Sequence, residues 1–131
     1  MKSSKHQKGF TLLELLVVIA IIGILSSLAV TRYQNHIIRS NRQAAQVRLL
    51  MAQQAMERFF LNNNTYVGAP LPALDPNEPY ALAFVGAPTA AAYRISARQT
   101  TLADADCGVL SINQVGQRFS TGTSTVADCW R

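Results

Sequence analysis

Two sets of side chains in this sequence could do chemistry by type and position: a lone carboxylate, Glu14, and a pair of thiols, Cys107 and Cys129. Glu14 is the one charged residue among the twenty-one from Phe10 to Val30. A charged carboxylate in hydrocarbon costs on the order of 3 kcal/mol and needs a cation. No basic residue lies in that run. Cutting the peptide bond between Gly9 and Phe10 supplies one, because the new α-amine then starts a helix four residues before Glu14, about one turn away. The chemistry indicated is charge neutralisation created by proteolysis.

The thiols allow two readings. In a domain exported across a membrane, an even pair far apart in sequence points to one disulfide; in a reducing compartment it would be two free thiols, which the membrane segment disfavours. A tetrahedral zinc site would need further ligands, and the only histidines are His6, near the start, and His36, at the edge of the apolar run. His36 has no cysteine partner, and Ser40 one turn away reads as a solvated helix residue. There is no glycine-rich phosphate loop, and Asp104 with Asp106 is too sparse for a calcium loop. No enzyme, metal or cofactor is expected.

The element that must carry Glu14 is a helix. Twenty-one residues rising about 1.5 Å each span roughly 31 Å, the thickness of a bilayer's hydrocarbon core. An ordinary secretory signal, cleaved near Ser27-Leu28-Ala29, fits less well, since such signals carry about 7–15 apolar residues without an acid among them. A simple uncleaved anchor leaves Glu14 without a partner. The net charge of +5 is largely a property of the first residues, where all three lysines, Lys2, Lys5 and Lys8, are found; without them nine arginines face seven acids. Arg32, Arg39 and Arg42 on the far side of the apolar run nearly balance those lysines, so the positive-inside rule does not fix the orientation.

The stretch Gly9-Phe10-Thr11-Leu12-Leu13-Glu14, behind a basic leader and ahead of an apolar run, resembles the class III signal of type IV prepilins. The resemblance implies that a prepilin peptidase cuts after Gly9 and N-methylates Phe10. It implies that Glu14, with Thr11 beside it, serves assembly and register by neutralising the Phe amine of a neighbouring subunit. The implied partners are other pilin subunits, the peptidase, the pilus assembly platform and the inner membrane. The implied location is a single pass in the inner membrane with a cytoplasmic N-terminus, then a pilus at the cell surface. The family commonly has a proline where this chain has Thr31 and keeps a glycine at Gly23, so an unbroken helix is expected from Ala29 to Tyr33.

The expected organisation is a leader at 1–9, a membrane or filament-core half-helix at 10–30, and a globular domain at 31–131. Neither Pro nor Gly occurs between Ile24 and Val67, so the helix should continue to about residue 62, with Asn62-Asn63-Asn64 ending it. Ile37, Ala44, Val47, Met51, Ala55 and Phe59 are expected to form its apolar face, with Arg42, Gln46, Gln53 and Glu57 on another. Residues 63–79, rich in proline, form a connecting loop. Alternation places strands at Tyr80 to Val85, Tyr93 to Arg98, Gly108 to Asn113 and Gln117 to Thr121, with Asn113-Gln114-Val115-Gly116 a hairpin turn. The fold class is α+β, a long helix laid on a small four-stranded antiparallel sheet, with a disulfide between Cys107 and Cys129 bounding what the family calls the D-region. Asp106-Cys107-Gly108 and Ala127-Asp128-Cys129-Trp130 resemble the PilE-like minor pilins.

Arg32, Arg39, Arg42 and Arg48 do not form one helical stripe, so nucleic acid is not an expected partner. Trp130 is expected to pack over the disulfide. The function implied is that of a minor pilin in a type IV pilus, supporting pilus biogenesis, twitching motility and adhesion. The alternatives are a major pilin, a DNA-uptake or competence pilin, and a type II secretion pseudopilin.

Overall fold

The longest element is α1, an unbroken helix from Leu12 to Asn63. It starts where Thr11 offers its Oγ1 to the Glu14 backbone N–H at 3.2 Å, the signature of an N-cap. It ends at Asn64, which takes the left-handed conformation at φ 52° and donates its N–H to the Phe60 carbonyl at 2.7 Å. The absence of proline lets the helix pass through Thr31 without interruption. The computed structural model describes residues 9–73 and 75–131; Lys2, Lys5, His6 and Lys8 lie outside the described residues.

The chain divides between His36 and Ile37 into two units. In the first, the apolar side chains from Phe10 to Val30 are all exposed. The helix is long and apolar enough to cross a membrane. Ser27, a polar residue in that run, satisfies its hydroxyl on the Ile24 carbonyl at 2.8 Å.

In the second unit, four antiparallel strands lie in sequential order: β1 (Tyr80–Phe84), β2 (Arg94–Gln99), β3 (Leu110–Asn113) and β4 (Arg118–Ser120). They fall where alternation places them, shifted or shortened by one or two residues. The β3–β4 turn closes through the Gly116 N–H on the Asn113 carbonyl at 3.0 Å, with Gly116 at φ 78°. A short helix, α2 (Val126–Cys129), ends the chain, capped by Thr125.

One face of the sheet, with Leu82, Ile95, Ala97, Leu110 and Ile112, packs against the residues of α1 from Ala45 to Met56. The helix face used is rotated from the one expected. Ala45, Leu49, Ala52 and Met56 are buried, whereas Val47 and Met51 are half exposed. The reason is that Arg42, Gln46, Gln53 and Glu57 flank the buried stripe and hydrogen-bond to the loops and sheet, which turns them inward. The loop before β1 contributes to the core as well. Tyr66 stacks on Phe60, centroids 4.6 Å apart, and meets Tyr93 edge-on at 4.7 Å.

Candidate functional site

The first site is the start of α1. Thr11 and Glu14 stand at the positions of a capping box, Thr-x-x-Glu, and the Thr11 half of it is formed. Thr11 therefore has a local role that its place in a signal motif does not reveal. Both residues are exposed, as are Gly9 and Phe10. An amine at Phe10 would sit at the positive end of the helix dipole, where a cation is unfavourable unless a carboxylate is close. Glu14, in the first turn, provides that carboxylate.

The second site is the disulfide-bounded C-terminal region. Cys107 and Cys129 are joined, with Cα atoms 5.5 Å apart, and both are buried. Helix α1 grips both ends of this bridge from adjacent turns. Arg42 holds Asp104 by Nε to Oδ2 at 2.7 Å and Nη2 to Oδ1 at 2.8 Å, while Asp104 Oδ1 accepts the Cys107 N–H at 3.1 Å. One turn on, Gln46 Nε2 donates to the Cys129 carbonyl at 2.7 Å. The Cys107 segment also runs against Thr121 and Gly122. Gly122 N–H donates to the Cys107 carbonyl at 3.0 Å and Ser124 N–H to the Asp106 carbonyl at 2.8 Å. A Cβ on Gly122 would overlap the Asp106 carbonyl, so glycine is required for this crossing. Trp130 is buried, as expected for a residue pinning the terminus, and its indole N–H donates to the Phe119 carbonyl at 3.2 Å.

The third site is the sheet face turned away from α1. Residues opposite one another in antiparallel strands share a face. The register places Ala83, Ser96, Ser111 and Phe119 in one row there, with Arg94 beside Asn113 and Arg98 beside Ala81. The Arg94 guanidinium reaches across β3 and stacks 3.9 Å from the Phe119 centroid. Among the described residues no strand carries an acid, and two strands carry arginines: β2 has Arg94 and Arg98 on this face, while Arg118 on β4 stands opposite Ile112 and so lies on the face towards α1. These were not among the arginines weighed from the sequence, since strand positions join into a face only once register is known. Of the helical arginines, Arg42 and Arg48 are engaged with Asp104 and Glu78.

On α1, Glu57 accepts from Tyr66 at 3.1 Å and from Tyr93 at 3.2 Å. Burial, then the Glu57 carboxylate, push the Tyr66 and Tyr93 phenols above their ordinary range, which keeps both protonated as donors. Among the described residues no group of three or more His, Cys, Asp or Glu side chains is gathered so as to hold a metal ion.

Residues 31–111 match the family model "Type IV minor pilin ComP, DNA uptake sequence receptor", and residues 4–30 match the prokaryotic N-terminal methylation motif. The chain is similar to the type IV major pilin protein PilE1 of Neisseria gonorrhoeae, 39% identical over 75 residues, covering 53% of this chain and 46% of that protein. It is similar to the type II secretion system core protein G of Pectobacterium carotovorum, 38% identical over 65 residues, covering 50% of this chain and 42% of the other. The chain thus spans less than half the length of these curated relatives. The non-core minor pilin PilV of Neisseria meningitidis shares the fold, with TM-score 0.55 at 19% identity over 69% of this chain and 92% of that structure. The continuous helix, the four-stranded sheet, the C-terminal disulfide and a family model covering more than half the sequence lead to one conclusion: this chain belongs to the family of type IV minor pilins described by ComP.

Proposed function

We propose that the chain is a structural minor pilin subunit, cut between Gly9 and Phe10 by prepilin peptidase, N-methylated at Phe10 and assembled through its apolar helix into a type IV pilus. The carrying observation is the exposed apolar surface from Phe10 to Val30, broken by a single carboxylate one turn inside a capped helix start. Such a surface must be covered by lipid before assembly and by other subunits after it. The subunit waits in the inner membrane with its N-terminus in the cytoplasm, where peptidase and assembly platform reach it, and the Cys107–Cys129 domain outside. Incorporation into pili places its roles in biogenesis, twitching motility and adhesion.

Replacing Glu14 by Ala tests this. The subunit should still reach the membrane and be trimmed to a Phe10 start, yet be missing from sheared pili, or pili should fail to form. A mature protein that still carries its first nine residues, or normal incorporation of the E14A variant, sinks the proposal. Loss of protein export with pili intact would instead assign the chain to a secretion system, as the similarity to protein G allows.

A second reading is favoured by the family model's own description, a DNA uptake sequence receptor. Under it the minor pilin displays a DNA-binding surface on the pilus. Deletion should then abolish DNA uptake while pilus numbers stay normal.

A further inference from the structure

The DNA-uptake reading leaves open which part of this chain meets the nucleic acid. We infer that it is the sheet face turned away from α1, with Arg94 and Arg98 as phosphate contacts and Phe119 as a positioning residue that holds Arg94 ready. This rests on that second reading and adds the surface and its residues.

Charge complementarity selects the occupant. This face carries two arginines, Arg94 and Arg98, and its strands carry no acid, in a chain where Arg42 and Arg48 are spent on ion pairs with Asp104 and Glu78. Arg94 and Arg98 point to the same side of β2, four residues or about 13 Å apart along the strand, and both are exposed. Between them lies Ser96, whose hydroxyl donates to the Ala83 carbonyl at 3.1 Å, and beyond it Asn113, whose side-chain amide is able to donate to a phosphate oxygen. Ser111 is small enough for Arg94 to pass over it, which accounts for a serine on the outer face being 7% exposed. Held 3.9 Å from the Phe119 centroid, the guanidinium loses less freedom when it pairs with a phosphate. A surface of this kind binds a polyanion by its backbone, and the affinity must fall steeply with salt.

The test uses the full mature chain in a neutral detergent and a fluorescein-labelled DNA duplex, with anisotropy read across a range of salt concentrations. For the R94A/R98A variant, loss of two phosphate contacts should reduce the slope of log K against log salt by about 2. If affinity at 1 M salt is unchanged, that is on the order of 50-fold weaker binding at 0.1 M. The F119L variant should keep the wild-type slope and bind about two- to fivefold more weakly, and F119Y should restore binding. Circular dichroism confirms that each variant is folded.

Wild-type protein that does not bind the duplex overturns the DNA-uptake reading itself. Wild-type binding with an unchanged R94A/R98A slope leaves that reading standing and overturns the assignment to this face. A polyglutamate peptide that binds as tightly as the duplex, and is lost in the same variant, gives the face to an acidic protein partner and overturns the inference too.

Discussion

Asp104 shows how much a single side chain decides in this small domain. Its carboxylate is almost wholly buried, 2% exposed, and takes two donors from Arg42 and one from the Cys107 backbone. A buried carboxylate is stable only while its partners stay, and removing one member of such a pair leaves the other desolvated and uncompensated. Asp104→Asn should therefore cost about 3 kcal/mol, although Asn is nearly isosteric. Replacing both partners, as in R42M/D104L, should recover part of that loss, because two apolar groups leave no unpaired charge. Chemical denaturation of the three proteins, with free thiols counted beside it, reads both outcomes. A D104N protein as stable as wild type would show that the pair is an accessory to the disulfide and not its anchor.

At the scale of elements, the helix illustrates what was legible in the sequence and what was not. Its length, its passage through Thr31 and its end at the asparagines follow from composition, since a stretch free of proline, and of glycine after Gly23, with a tolerant terminator has little else to do. The strands follow from alternation, and Gly116 marks their tightest turn. The buried helix face does not follow, because apolar residues occupy both sides of the helix: Leu49 and Met56 inside, Val47 and Met51 outside. Periodicity reports that a stripe exists but not which of two stripes meets the sheet. The deciding signal was polar. Arg42, Gln46, Gln53 and Glu57 fall at spacings of four, seven and four, and each finds a partner across the interface. The same logic hid the outer sheet face, where Arg94 meets Phe119 across an intervening strand. The two stripes should behave differently on substitution. Leu49→Ala opens a cavity and should cost about 3 kcal/mol. The V47A/M51A variant should change stability by less than about 1 kcal/mol. If the outer stripe meets neighbouring subunits, that variant should also be depleted from sheared pili. Equal melting of L49A and V47A/M51A would contradict the assignment of the core.

At the scale of the molecule, the question is how a unit running from Ile37 to Arg131, fewer than a hundred residues, holds together. Domains of that size bury a modest share of their surface, and their net stability is about 5–15 kcal/mol. The core here is thin: the helix contributes two alanines beside Leu49 and Met56, and β4 spans only three residues. The disulfide compensates by closing a segment of 22 residues that holds β3, β4 and α2, so the unfolded chain loses the freedom to separate them. On the chain-entropy model that contributes about 3 kcal/mol. For a unit of this size such a loss lowers the melting temperature by roughly 12–24 °C. The C107S/C129S variant of the full chain, in neutral detergent, should show that drop while keeping helical circular dichroism, because α1 and its exposed apolar half do not depend on the bridge. It should also accumulate poorly in cells, since a subunit that unfolds during storage is open to proteases before it can be assembled. A variant that melts where the oxidised protein does would mean that Arg42, Gln46 and the Gly122 crossing alone suffice to hold the C-terminal region, and that the covalent link is dispensable.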